Sequence, residues 1–187
     1  MSIYLRNFLR YLFLVGIQVL LLNKLSLRWW ANPSGFPSFV PFIYPLFIML
    51  LPISTPIWFV LLSGFAVGLT VDMFMNTMGL HAAACVFMAF CRIAVLKTIL
   101  PRKIYEYRNL APSVKSMSWV PFLTYAGILL LLHHLAYFLL EIWSLKAPLY
   151  FILKLFASLL TSLIFVILYA LLFSRSIDTQ YNNLDLK

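Results

Sequence analysis

Charge is what this sequence has least of. Only 10% of its 187 residues are Asp, Glu, Lys or Arg, against about 25% in soluble domains, where apolar residues make up about 45–50%. Here the apolar share is 64%. That balance excludes an ordinary soluble domain and indicates a protein built into a membrane. A spanning helix uses about 20 mainly apolar residues, so once loops are allowed the chain has no length left for a soluble domain beside its spans. Acids are scarcer than bases, five against fourteen, for a formal net charge of +9. Such an excess can mark nucleic-acid binding. Here, however, the basic residues are spread along stretches flanking the apolar runs, as topology control and contact with anionic headgroups require, which argues against nucleic acid.

Cysteine is nearly absent too. Cys85 and Cys91 lie six apart on one apolar segment, a spacing that cannot close a disulfide within a helix, so both read as small packing residues. No phosphate-binding glycine loop, nucleophile elbow or spaced Cys/His metal set is present, and no repeat or low-complexity tract. The sequence therefore predicts no catalytic residue, no cofactor and no metal. An intramembrane enzyme would need a nucleophile and a base at usable spacing, and none is found.

What the chain does have is apolar runs. Six can be drawn, at about Phe8–Leu25, Phe36–Ile53, Pro56–Phe74, Leu80–Leu100, Val120–Ile142 and Pro148–Phe173, each near the length of a span. They predict an all-α polytopic bundle of about six transmembrane helices in a single domain, residues 1–174, followed by a short polar, disordered tail at 175–187. The basic, apolar N-terminus lacks a small-x-small cleavage pattern and reads as an uncleaved first span. The second run is the weakest, because Pro37, Pro41, Pro45 and Pro52 must kink or interrupt it. In "ISTPIW", Ser54 or Thr55 can cap a helix that has Pro56 in its first turn. The third and fourth runs, joined only by "MNTMG", should be antiparallel neighbours.

Orientation follows from short-loop lysines and arginines. Arg6 and Arg10 near the N-terminus, and Lys97, Arg102, Lys103, Arg108 and Lys115 after the fourth run, place both regions in the cytoplasm. Four spans between them satisfy this, which favours six spans with both termini inside. Lys24, Arg28 and Lys146 are the exceptions. Trp29, Trp30, Trp119 and Trp143 fall at predicted interfaces, as an aromatic belt would.

Polar groups inside the runs are candidates for function, since a charge at the bilayer centre costs at least about 2.5 kcal/mol on insertion scales. His81, Cys85, Met88 and Arg92 share one helix face. On the preceding run Gly64, Gly68 and Asp72 recur every four residues, a small-xxx-small pattern that permits close helix approach. Together these predict a tight hairpin in which Asp72 pairs with His81 near a shared outer turn. Arg92 lies roughly 10 Å deeper at about 1.5 Å per residue, and snorkels to the headgroups or meets a partner helix. On the fifth run Gly127, Leu130, His134, Tyr137 and Glu141 share a face, with His133 about 100° away, so the adjacent histidines cannot jointly ligate one metal. On the sixth run Lys154 can reach Glu141.

The stretch "YPLFIMLLPISTPIWFVLLSGFAVGLTVDMFMNTMGLHAAACVFMAFCR" resembles the MreD family, polytopic rod shape-determining membrane proteins of bacteria. The likeness is carried by the "LPISTP" turn, the glycine-spaced run ending in "VDMF", and "GLHAAA" opening the next run with Arg and "LPR" at its end. "FLTYAGILLLLHHLAYFLLE" is similar to one branch of the family. The likeness covers about residues 8–173 and marks Asp72, Gly79, His81 and Arg92 as characteristic positions without assigning them a reaction. It implies an architecture similar to the S components of energy-coupling-factor transporters, and a non-enzymatic subunit of the cell-elongation machinery in the inner membrane. The implied partner is the single-span protein MreC, and through it MreB, RodZ, RodA and a transpeptidase penicillin-binding protein. The compact outer loops leave little periplasmic surface. A different expectation is a small-molecule (vitamin-type) transporter component with a pocket of His81, His134 and Glu141.

Overall fold

The computed structural model describes residues 3–24, 40–100, 110–141 and 148–174. These contain helices α1 (Ile3–Ile17, continued by a wider π-helical turn, Gln18–Leu22), α2 (Leu46–Met49), α3 (Ile57–Met75), α4 (Leu80–Ile99), α5 (Val114–Met117), α6 (Trp119–Glu141) and α7 (Pro148–Ser174). No strand occurs among the described residues. Five helices are long and apolar enough to cross a membrane: α1 with its π turn, α3, α4, α6 and α7. The chain is an all-α bundle of the polytopic membrane kind. The tail at 175–187, Trp29, Trp30 and Trp143, and Arg28, Arg102, Lys103, Arg108 and Lys146 lie outside the described residues. Trp119 is half-exposed, at the first residue of α6.

The expected sixth spanning helix, Phe36–Ile53, is not a long helix. Its described part holds only the four residues of α2. The reason is proline: Pro41, Pro45 and Pro52 each lack an N–H and clash with the preceding helical turn. What forms instead is a broken segment, residues 41–53, threaded through the interior. Every residue from Pro41 to Leu51 is buried, and Tyr44, Leu46, Ile48 and Met49 have no exposed surface.

Its direction follows from its contacts. Phe42 and Tyr44 lie beside His81 at the start of α4, whereas Leu51 lies beside Arg92 near the end of α4. Gln18 of the π turn meets Pro41 and Ile43, while Arg10, two turns earlier on α1, reaches Leu50. The segment therefore runs antiparallel to α1 and in the same sense as α4. The beginning of α1 and the end of α4 share one end of the bundle.

Around this centre the long helices alternate. The α3–α4 turn is built by Asn76 and Gly79, both in the left-handed region (φ 55° and 78°), where glycine carries no steric cost. Helices α4 and α6 are antiparallel, with Arg92 against Tyr125 and His81 against Tyr137. Helices α6 and α7 are likewise antiparallel, with His134 against Ser162 and Glu141 against Lys154. Phe13 of α1 stacks edge-on against Phe173 near the end of α7, ring centroids 5.6 Å apart. Short α5 opens with a Ser113–Ser116 capping box.

Candidate functional site

An irregular segment in an apolar interior leaves backbone groups that must find partners, since each unsatisfied group costs several kcal/mol in a membrane setting. The partners here are polar side chains of the surrounding helices. The Gln18 amide spans two of them, Nε2 donating to the Pro41 carbonyl (3.1 Å) and Oε1 accepting from the Ile43 N–H (2.9 Å). The Phe42 N–H donates to Ser162 Oγ at 2.8 Å. At the other end the Met49 carbonyl accepts from Tyr125 Oη at 3.0 Å, and the Leu50 carbonyl from Arg10 Nη1 at 3.2 Å. The Leu51 carbonyl accepts from Arg92 Nη2. Arg92 Nε also donates to Tyr125 Oη at 3.1 Å.

Arg92 thus does not snorkel; it meets a neighbouring helix, α6, through Tyr125. It is 3% exposed and aims inward at the carbonyl end of α2, where a cation suits the helix dipole.

The Asp72 carboxylate meets the backbone of α4, not the His81 ring. Its Oδ1 accepts from the His81 N–H at 3.1 Å and its Oδ2 from the Ala82 N–H at 2.9 Å. Thr77 Oγ1 donates to the same carboxylate. The helix begins at Leu80 after Gly79, which has no side chain to cap it, so Asp72 supplies from α3 the acceptor that an N-cap residue normally gives. One turn back, Gly68 sits so close to α4 that a Cβ there would lie 2.4 Å from Ala82 Cα, and at Gly64 it would lie 3.2 Å from the Cys85 carbonyl oxygen. Both glycines are used up inside the hairpin and present nothing to a partner.

The histidines converge on the broken segment. Tyr44 Oη lies 2.6 Å from His81 Nδ1 and 2.8 Å from His133 Nε2. His134 Nδ1 donates to the Leu130 carbonyl at 2.7 Å, and its Nε2 lies 3.1 Å from Ser162 Oγ. His133, expected to point away from the polar face, is as buried as His134 because the segment offers Tyr44 on that side. The Phe42 ring fills the space between, with centroids 5.3 Å from His81, 5.7 Å from His133 and 5.2 Å from His134. Glu141 stands apart at the end of α6, where Lys154 Nζ lies 2.6 Å from Oε2 with side-chain exposures of 14% and 33%. His81, His134 and Glu141 therefore do not line one pocket. Among the described residues no three His, Cys, Asp or Glu side chains are grouped to hold a metal ion.

Sequence reasoning missed Tyr44, Gln18, Tyr125 and Ser162. The available signal was the proline cluster itself: a prolyl run in an apolar context demands donors and acceptors from its neighbours, and Gln18 is an amide in the middle of an apolar first run.

A second feature lies on the outer face of the α3–α4 hairpin. A shallow, open and largely apolar groove is lined by the small residues Gly79, Ala82 and Ala83 together with Phe65, Phe87 and Phe90. Phe65, Phe87 and Phe90 are well exposed. The interior polar seam is bonded within the chain except at His81 Nε2, His133 Nδ1 and Ser158 Oγ, which have no partner among the described residues, while this groove is an open surface. Comparison with known protein families, with characterised proteins and with solved structures finds no match to this chain.

Proposed function

We propose that this chain is a non-enzymatic membrane scaffold of the bacterial cell-elongation machinery, acting in the manner of the MreD family, which its central stretch resembles. It holds the single spanning helix of MreC and connects through MreC to MreB, RodZ, RodA and a transpeptidase penicillin-binding protein. It sits in the inner membrane with the beginning of α1 and the loop after α4 on the cytoplasmic side, the side that Arg6, Arg10, Lys97 and Lys115 favour.

The observation that carries this reading is the division between an interior bonded mostly within the chain and an open outer groove. Gln18, Asp72, Arg92, Tyr125 and Ser162 are taken up by the protein's own backbone, which supports an architectural role for them. The shallow α3–α4 groove offers what helix association in a bilayer uses, small residues for close approach beside large side chains for van der Waals contact. A transporter component would need His81, His134 and Glu141 around one cavity; Phe42 packs against both histidines and Glu141 is held by Lys154. Nothing favours that rival.

The test is to fill the groove. Ala83 is exposed, so Ala83→Trp leaves the packed hairpin alone. MreC co-purification from solubilised membranes should be lost at unchanged accumulation of the chain. Undiminished MreC recovery would remove the groove from the account.

A further inference from the structure

At the centre of the bundle, Tyr44 bridges two imidazoles, and among the described residues the far nitrogen of each ring meets no partner. His81, Tyr44 and His133 have no exposed surface, and the two bridging distances are 2.6 and 2.8 Å. Beyond them, His81 Nε2 and His133 Nδ1 have no hydrogen-bond partner among the described residues. Orphaned buried groups of this kind are rare and costly, and two at the ends of one hydrogen-bonded chain call for an explanation.

The chemistry of the chain is constrained. A tyrosine hydroxyl has one proton, so it donates to one ring and accepts from the other. Burial without a counter-charge keeps both rings neutral; the Asp72 carboxylate is engaged by the His81 and Ala82 amides and not by either ring. Only two arrangements remain. In the first, Tyr44 donates to His81 Nδ1 and accepts from His133 Nε2–H, so both rings carry their proton on Nε2. In the second, Tyr44 donates to His133 Nε2 and accepts from His81 Nδ1–H, so both carry it on Nδ1. In either case one outer nitrogen is an N–H and the other a bare lone pair.

We propose that His81, Tyr44 and His133 form a proton relay through the centre of the bundle, with water as the carrier at its two outer nitrogens. Starting from the first arrangement, a proton enters at His133 Nδ1 and the Nε2 proton of that ring passes to the Tyr44 oxygen. The hydroxyl proton passes to His81 Nδ1, and the Nε2 proton of His81 leaves. One proton has entered and one has left, each ring is neutral again, and the triad is in the second arrangement. Moving a proton in the opposite direction, or turning the groups, resets it. The relay goes beyond the scaffold reading and does not depend on MreC.

The test uses the full chain in a bilayer mimic with 15N-labelled histidine. There are three histidines, and His134 serves as an internal control because its Nδ1 faces the Leu130 carbonyl, which only accepts. A His134→Asn variant identifies its signals. The relay predicts that His81 and His133 carry their proton on the same-named nitrogen and exchange between the two forms with one common rate, while His134 keeps Nδ1–H. Opposite tautomers, a cationic ring, or a single form without exchange would overturn it. Tyr44→Phe should abolish the common rate, and its persistence would also overturn the relay. Should that variant fail to accumulate, the wild-type spectrum decides alone.

Discussion

At the scale of single residues, the hairpin depends on what two positions omit or supply. Gly68 omits a Cβ that would press on the α4 backbone at 2.4 Å. A backbone neighbour cannot rotate away, so Gly68→Ala should lower stability by about 1–3 kcal/mol, the range for overpacking, read as a lower thermal midpoint in detergent. Gly127 is the control, with nothing within 4 Å of its added Cβ. Gly127→Ala should be neutral or stabilising by up to about 1 kcal/mol. Asp72 supplies acceptors for two helix-start amides. Asp72→Leu orphans both, at about 1–3 kcal/mol each, and should sharply reduce accumulation in the membrane, whereas Asp72→Asn keeps one carbonyl oxygen and should fall between. Unchanged accumulation of the Leu variant with lost shape control would point instead to a direct partner contact. The Lys154–Glu141 pair is partly exposed, so Lys154→Met should shift stability by no more than about 1 kcal/mol.

At the scale of elements, the broken segment explains why polar groups are buried at all. Each of Gln18, Arg92, Tyr125 and Ser162 meets a backbone group that proline left without a helical partner. Arg92→Met removes the donor from the Leu51 carbonyl. Hydrogen bonds to charged groups contribute about 1.5–3 kcal/mol, partly offset by the relieved burial of a charge. Amide exchange over residues 46–51 should accelerate by about tenfold or more, equivalent to about 1.4 kcal/mol; wild-type protection would show that the guanidinium does not moor the segment. Much of this was legible beforehand. Apolar runs of span length gave the five long helices, the five-residue linker gave the antiparallel hairpin, and the four-residue spacing of Gly64, Gly68 and Asp72 gave the close face. The interior path of residues 41–53 was not legible, because periodicity registers regular elements and this segment has none. The Asp72–His81 proximity could be read from spacing, but the use of the His81 amide in place of its ring could not, since that depends on Gly79 leaving the α4 start uncapped.

At the scale of the whole molecule, the path of the chain reconciles five long helices with the charge pattern. The broken segment runs against α1, so the start of α1 and the end of α4 meet at one end of the bundle, where Arg10 and Arg92 reach adjacent carbonyls. Reporter fusions after Arg10 and after Lys97 should therefore read the same side of the membrane. With most of the interior polar groups bonded within the chain, the apolar α3–α4 groove is the surface proposed for association, and the central claim is that another protein's spanning helix occupies it. The direct measurement is site-specific photocrosslinking in the native membrane from a photoreactive residue replacing Ala83. The account predicts a covalent adduct to MreC that disappears when Phe87→Trp narrows the groove; adducts to lipid alone would contradict it.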